Sequence, residues 1–200
     1  MNSFQKSIAA DNLNDGQSNA KTFVSYVVYK GKAALSFKPI PPTFTQKGSS
    51  KIVSRFGGML LEFAPSVGLR QYDWTKKAAF LLEPTECGAI IGFDMYTKTS
   101  TVDLFHDPNM GNNNAGQVSK KLKITVSPDG KGLFISLQVT DKVAGTSNLS
   151  VPVTSAEFEV VRNLLEFSLP RFLGFDAIWS ADIAPVPPPP PAYVQITDQE

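Results

Sequence analysis

The sequence predicts an α+β protein in which antiparallel β-sheet provides most of the core. Three observations lead to this prediction: apolar and polar residues alternate in several runs, a Pro-Asp-Gly turn joins two of those runs, and two helical segments follow strand-rich regions. Alternation with a period of two buries one face of a sheet and leaves the other in water. At 200 residues, 42% apolar and 18% charged, the chain suits one ordinary folded domain.

Four runs show the strand period, and a turn joins the last two. The alternating apolar sets are Val24, Tyr26 and Val28; Met59, Leu61 and Phe63; Leu122, Ile124 and Val126; and Leu133, Ile135, Leu137 and Val139. Ser127-Pro128-Asp129-Gly130-Lys131-Gly132 separates the third set from the fourth. Because this composition is typical of a tight hairpin turn, these two strands are expected to pair antiparallel.

Two helices are predicted between and after the strands. Glu83-Pro84-Thr85-Glu86 begins a short helix that ends near Phe93, since proline suits a first helical turn. Thr154-Ser155-Ala156-Glu157 has the pattern of a capping box and begins a longer helix. The apolar residues that then recur at helical spacing are Phe158, Val161, Leu165, Leu169 and Phe172. Pro170 is expected to kink this helix or to shorten its last turns.

The order of these elements predicts an internal duplication. Leu81-Leu82-Glu83-Pro84-Thr85 and Val151-Pro152-Val153-Thr154 each follow a strand-rich region and lead into an apolar helix. We therefore expect two similar halves, each made of strands and then a helix, packed against one another.

Composition divides the chain into three parts. Residues 1–22 are rich in Asn, Ser, Asp and Gln and are expected to form a flexible N-terminal lead. The lead has no apolar signal-peptide core, and it has no arginine and carries Asp11 and Asp15, so we interpret it as what is left after processing or trimming. Residues 23–180 form the predicted folded domain. Pro185 and Pro187 to Pro191 predict an extended, disordered tail over residues 181–200.

Charge is distributed unevenly along the chain, although the total is only +1. Residues 21–81 carry ten Lys or Arg and two acidic residues, a net charge of +8. Residues 154–200 carry two basic and seven acidic residues, a net charge of −5. Such asymmetry favours a polyanionic partner for the basic segment, residues 21–81. The alternative is that the lysines serve solubility and protect strand edges.

Neither an enzyme nor a metal protein is predicted. A single cysteine, Cys87, excludes an internal disulfide, and a single histidine, His106, excludes a multi-histidine metal site, so no cofactor or metal is expected. His106 and Asp107 are adjacent on a strand and point to opposite faces, which makes a poor catalytic pair. Cys87 is expected to be a buried apolar side chain. No run approaches the roughly 18–20 apolar residues of a membrane helix, so no membrane partner is expected.

Aromatic and basic residues lie close together in two segments. Tyr29-Lys30-Gly31-Lys32 ends an aromatic strand, with its two lysines expected on one strand face. Tyr72, Trp74 and Lys76 are expected to share a face in the same way. Unpaired bases stack on exposed rings while lysines contact phosphates, so this pattern indicates single-stranded nucleic acid. The alternative for Tyr72 and Trp74 is burial in the core.

Several motifs, in the same order, resemble the plant Whirly family. The match covers residues 26–176. It includes Lys30-Gly31-Lys32-Ala33-Ala34-Leu35, Pro42-Thr43-Phe44, Gly68-Leu69-Arg70-Gln71-Tyr72-Asp73-Trp74, Phe105-His106-Asp107-Pro108, Asn114-Ala115-Gly116-Gln117-Val118 and Pro152-Val153-Thr154 with Ala156-Glu157-Phe158.

The resemblance implies a fold of two packed four-stranded antiparallel sheets with helices that dock subunits into a homotetramer. It also implies binding of single-stranded DNA with little sequence preference, in chloroplasts or mitochondria and for some members in the nucleus. The implied roles are maintenance of organelle genomes, DNA repair and, for some members, regulation of transcription. In the family the Lys-Gly-Lys-Ala-Ala-Leu segment is implicated in DNA binding and in assembly of tetramers into larger particles. The matching second lysine is Lys32.

These arguments name eight residues of a DNA-binding site and leave two alternatives open. Phosphate contacts are predicted for Lys30, Lys32, Lys76, Lys77 and Lys121, and stacking or groove-wall contacts for Tyr29, Trp74 and Phe105. Trp74 could instead lie in the core or at a subunit interface. The alternatives are an RNA-binding protein, since stacking does not demand deoxyribose, and a protein-interaction scaffold that uses the proline-rich tail.

Overall fold

The computed structural model describes residues 22–111 and 113–180, so most of the predicted lead and the whole predicted tail lie outside the described residues. The strands are β1 Tyr26–Tyr29, β2 Ala33–Ile40, β3 Thr43–Lys47, β4 Ser50–Arg55, β5 Gly58–Gly68, β6 Gln71–Tyr72, β7 Ala78–Leu82, β8 Thr101–His106, β9 Val118–Val126, β10 Gly132–Asp141 and β11 Gly145–Thr154. The helices are α1 Pro84–Ile91, α2 Ser155–Phe172 and α3 Asp176–Ser180, with a 3-10 helix at Trp74–Lys76.

The first sheet contains five antiparallel strands. β1 pairs with β2, β2 with β5, and both β7 and the short β6 pair with β5. Ser66 at the end of β5 pairs with Tyr72 of β6, and its N–H donates to the Lys32 carbonyl on the opposite side. β6 and β7 therefore follow one another along the same edge of β5. The prediction of four strands differs here because a break at Asp73 and the 3-10 helix divides this edge into two strands.

The second sheet contains four antiparallel strands in the order β11-β10-β9-β8. The predicted turn joins β9 to β10, where the Ser127 N–H donates to the Gly132 carbonyl at 2.8 Å. Gly130 has φ +72°, a left-handed conformation that glycine adopts without strain. The two sheets pack their apolar faces together over one core, with α1 and α2 against it. Mixed sheets with a few helices confirm the α+β class.

Both predicted helices are present and begin where their caps predict. Pro84 is the first residue of α1, which ends at Ile91. The capping box of α2 has both hydrogen bonds: Thr154 Oγ1 accepts from the Glu157 N–H at 3.2 Å, and Glu157 Oε2 accepts from the Thr154 N–H at 2.8 Å. Pro170 lies inside α2, two residues before its end. The predicted apolar stripe faces the core, with Leu169 at its margin.

The segment that connects β2 to β5 in sequence forms a separate two-stranded hairpin of β3 and β4. Its side chains Phe44 and Val53 contact the turn between α2 and α3 at Gly174. A Cβ on Gly174 would lie 2.9 Å from Val53 Cγ2, and its φ is +80°, so this position requires glycine.

Candidate nucleic-acid interface

An exposed aromatic ring ends β1. Tyr29 is 59% exposed, and its ring centroid lies 5.3 Å from that of Tyr72 at an interplanar angle of 42°. The Tyr72 hydroxyl donates to the Lys30 carbonyl at 2.9 Å, which fixes both the second ring and the turn after β1. Tyr72 is half-buried, between the two alternatives that the sequence allowed. It is the supporting residue that the eight-residue prediction omitted.

Lys30 and Lys32 point to different surroundings. Both lie in the turn between β1 and β2, which the Lys30 N–H closes by donating to the Ala33 carbonyl. The prediction that they share one strand face is therefore wrong, because a turn has no strand alternation. Lys30 Nζ donates to both carboxylate oxygens of Glu157 at 2.8 Å. Lys32 is exposed and has no ion-pair partner within residues 22–111 and 113–180.

The segment after Tyr72 is also not a strand. Trp74–Lys76 forms a 3-10 helix whose N-cap, Asp73, accepts from the Thr75 N–H at 3.0 Å. The expected common face of Tyr72, Trp74 and Lys76 is wrong for this reason. Trp74 is half-buried, and the exposed Lys76 has its Nζ 3.5 Å from Asp73. The hydrogen bond from the Thr75 side chain, followed by those from the backbone and the charge of Lys76, lowers the pKa of Asp73.

Lys77 shares a buried carboxylate with a lysine that sequence reasoning missed. Glu62 on β5 faces away from the core, with its side chain 5% exposed. Its Oε1 lies 2.6 Å from Lys77 Nζ, and its Oε2 forms an ion pair with Lys38. Burial raises the pKa of Glu62, but hydrogen bonds and charge from the two lysines outweigh burial, and the net pKa is lowered. The carboxylate is therefore ionised at neutral pH.

Phe105 and Lys121 lie on the second sheet, as cross-strand neighbours of β8 and β9. Phe105 is 62% exposed, and Lys121 Nζ lies 3.3 Å from Asp103 Oδ1. The preceding residue, Lys120, points the other way and donates to the Ala79 carbonyl of β7 at 2.7 Å. Burial lowers the pKa of Lys120. This hydrogen bond holds the start of β9 against β7 at Ala79, which is two residues after Lys77 in sequence.

The residues considered for catalysis have structural partners. Cys87 is buried in the core, and burial raises its pKa to about 11, so it is a protonated thiol at neutral pH. His106 stacks on Phe80 with centroids 4.0 Å apart, and its Nε2 lies 2.9 Å from Glu86 Oε1. Among the described residues, no group of three or more His, Cys, Asp or Glu could hold a metal ion. Within the same residues, no helix is long and apolar enough to cross a membrane.

We expect Glu157→Gln to lower the free energy of unfolding at neutral pH by about 1 kcal/mol, because glutamine keeps the capping box but loses the ion pair with Lys30. Burial opposes ionisation, but hydrogen bonds from Lys30 and Thr154 lower the net pKa of Glu157 below 4.5. Because the pKa of Glu157 is lower in the folded state than in the unfolded state, its ionisation stabilises the fold at pH values above the unfolded-state pKa. This contribution to stability is lost as pH falls through the folded-state pKa. Urea unfolding at neutral pH and at a series of lower pH values measures the difference, which should shrink as pH falls through the folded-state pKa of Glu157.

Glu159→Gln, which removes a surface ion pair with Arg162 on the same helix, is the matched control for this variant. It should lower stability less than Glu157→Gln does. An equal loss in the two variants, or a Glu157→Gln deficit that does not shrink as pH falls, would contradict the role given to the ion pair between Lys30 and Glu157.

Comparison with known proteins shows the family to which the chain belongs. A family model described as Whirly transcription factor matches residues 28–164. The chain belongs to the Whirly family. The resemblance inferred from the motifs is thereby confirmed, and this Whirly chain can be compared with its relatives.

Two relatives are named as single-stranded DNA-binding proteins. The chain is 42% identical over 162 residues to WHY2, mitochondrial, of Arabidopsis thaliana, covering 80% of this chain and 67% of that protein. It is 43% identical over 162 residues to WHY1, chloroplastic, of Solanum tuberosum, covering 80% of this chain and 58% of that protein. This Whirly chain thus spans about three fifths to two thirds of these relatives.

Solved structures are similar over most of the described chain. The crystal structure of WHY1 from Arabidopsis thaliana has a TM-score of 0.77 at 38% identity, covering 81% of this chain and 92% of that chain. The structure of a protein described as the plant transcriptional regulator PBF-2 has a TM-score of 0.75 at 41% identity, covering 80% and 88%. The structural similarity and the sequence similarity therefore both support membership of the Whirly family.

Proposed function

We propose that this Whirly chain binds single-stranded DNA with little sequence preference. The observation that carries the proposal is the exposed ring of Tyr29, supported by Tyr72, with the exposed Lys32 in the turn after Tyr29 and the exposed Lys76 in the 3-10 helix after Tyr72. A supported ring offers a face to any unpaired base, and ammonium groups beside it contact phosphates of any sequence. The names of the relatives support the same function.

The site residues take different roles in this proposal. Phosphate contacts are assigned to Lys32, Lys76, Lys77 and Lys121, and stacking or groove-wall contacts to Tyr29, Trp74 and Phe105. Lys30 becomes a positioning residue, because both oxygens of Glu157 already accept from its ammonium group. Nothing in this arrangement requires a nucleophile, a metal or a cofactor, so we propose a binding protein and not an enzyme.

Titration of a labelled oligonucleotide at several salt concentrations tests the function. The logarithm of the association constant should fall linearly with the logarithm of salt concentration, by about 0.7 for each phosphate neutralised on a single strand. Blunt duplex DNA should bind more weakly because its bases are stacked and paired. A flat salt response or equal affinity for duplex would contradict the proposal. Stronger competition by a matched RNA would assign the site to RNA.

We also propose an internal duplication and a homotetramer. The strands β1-β2-β5-β7 and then α1 match β8-β9-β10-β11 and then α2 in order, once the β3–β4 hairpin and β6 are treated as insertions. Exposed apolar residues on and after α2 support self-association: Phe167, Phe175 and Ile178. Superposing the two halves tests the first proposal. Light scattering tests the second, and a monomer at micromolar concentration would contradict it.

We propose that the protein acts in chloroplasts or mitochondria in genome maintenance and DNA repair, with regulation of transcription as a further role. Names of relatives as chloroplastic and mitochondrial proteins, and of one as a transcriptional regulator, support this. A fluorescent fusion of the protein tests the compartment, and a diffuse cytosolic signal would contradict it. Deleting residues 185–200 should leave DNA binding intact, whereas the scaffold alternative expects the deletion to abolish binding of a partner protein.

A further inference from the structure

Glu62 depends on two lysines for its charge compensation. Within residues 22–111 and 113–180, its polar contacts are the ion pairs with Lys38 and Lys77. The cross-strand neighbour Ser36 has a buried hydroxyl without a hydrogen-bond partner there, and it donates nothing to the carboxylate. A buried carboxylate without a cation is strongly unfavourable. Both lysines therefore cannot leave Glu62 at the same time.

The two lysines still face solvent. Their side chains are 39% and 40% exposed, and each ammonium group has three N–H donors. Glu62 Oε2, beside Lys38, has no hydrogen-bond partner among the described residues, so that contact is an ion pair only. Because Lys38 and Lys77 are bound to the two oxygens of a single carboxylate, their ammonium groups are held close together. The remaining donors are free to contact an anion that approaches from the solvent side.

This arrangement lies on the same face as the proposed stacking ring. In the sheet register, Tyr29 of β1 lies opposite Ala34 of β2, and Ala34 lies opposite Ala64 of β5. Ser36 is two residues from Ala34 on β2, and its partner Glu62 is two residues from Ala64 on β5. Positions two apart on a strand point to the same side. A single strand whose base stacks on Tyr29 can therefore extend its backbone along this face toward the lysine pair.

We propose that Glu62 binds Lys38 and Lys77 into one unit of net charge +1 that neutralises one nucleic-acid phosphate instead of two. Glu62 is then a positioning residue that sets both the place and the electrostatic strength of this contact. The inference rests on the proposed binding of single-stranded DNA. It adds that two of the basic residues act as a pair with a fixed charge.

Four proteins test the charge of the unit: the full chain, Glu62→Gln, Lys38→Gln and the double variant. The unit of residues 38, 62 and 77 carries a charge of +1 in the full chain, +2 in Glu62→Gln, 0 in Lys38→Gln and +1 in the double variant. Binding of a short labelled oligothymidine is measured over a salt series. Glu62→Gln should steepen the log–log salt slope by about 0.7, and Lys38→Gln should make it shallower by about 0.7. The double variant should match the unmodified chain. Between about 50 and 200 mM salt, Glu62→Gln should lose about 2.6-fold more affinity than the unmodified chain.

The opposite result is equally clear. If both lysines leave Glu62 to bind separate phosphates, Glu62→Gln will keep the unmodified slope and the double variant will match Lys38→Gln. That pattern overturns the inference and leaves the proposed function standing, whereas a full chain that does not bind at all overturns the proposed function. Should Glu62→Gln alone not fold, Lys38→Gln and the double variant carry the same comparison. Glu166→Gln, an exposed glutamate on α2, removes an equal charge and should not change the slope.

Discussion

Phe158→Ala should lower the free energy of unfolding by about 3–5 kcal/mol, the range for removing a buried phenylalanine. Phe158 is fully buried where α2 meets the sheets, and its ring meets Phe93 edge-on with centroids 5.7 Å apart. Arg162 lies with Cζ 5.2 Å from the same ring and donates to the Phe93 carbonyl at 3.0 Å. The alanine variant therefore leaves a cavity and removes the ring contact with Phe93, one of the contacts that hold the segment after α1 against α2. Denaturant unfolding measures the loss.

Phe105→Ala is the matched control because it deletes the same ring from an exposed site on β8. Surface substitutions of this kind change stability by about 0.5 kcal/mol or less. Similar losses in the two variants would show that Phe158 does not belong to the core described above.

Tyr29→Ala should weaken binding of single-stranded DNA by about 5- to 150-fold, which corresponds to the roughly 1–3 kcal/mol of one base–ring stack. The ring is exposed and rests on Tyr72, so its removal should change stability little. Fluorescence anisotropy with a labelled oligonucleotide measures the affinity at fixed salt. The salt slope should stay unchanged, because stacking neutralises no phosphate.

Two variants separate stacking from other effects at this position. Tyr29→Phe keeps the ring and should bind within a few-fold of the unmodified chain. Tyr96→Ala removes an exposed tyrosine from the loop after α1 and should leave affinity unchanged. Equal affinities of Tyr29→Ala and Tyr96→Ala would remove Tyr29 from the interface.

Local patterns predicted several elements because their information is contained in neighbouring residues. The period of two in β5, β9 and β10 follows from one buried sheet face, and Pro128-Asp129-Gly130 makes the connecting turn. The Thr154 and Glu157 capping box begins α2 as predicted, because its two hydrogen bonds span only three residues. The relationship to Whirly proteins was predicted from the sequence motifs, since hydrophobic periodicity alone carries no information about family.

Other features were not predictable from neighbouring residues. The β3–β4 hairpin is exposed on most positions, so it has no clear apolar alternation. Trp74 and Lys76 were expected on a strand, but the Asp73 cap and its bonds to Thr75 turn the chain into a 3-10 helix. The first sheet has five strands for the same reason.

Sequence alone established the α+β class, the excess of basic residues in residues 21–81 and the Whirly relationship. Each of these is a property of residues that lie close together in sequence. The state of each lysine depends on residues far away in the chain. Lys30 meets Glu157, which is 127 positions further on, and Lys77 meets Glu62 across the β5–β7 pair, while Lys32 stays in solvent. A lysine attracts phosphate strongly only where no nearby carboxylate compensates its charge. Which carboxylates lie near each lysine is decided by how the sheets and helices pack.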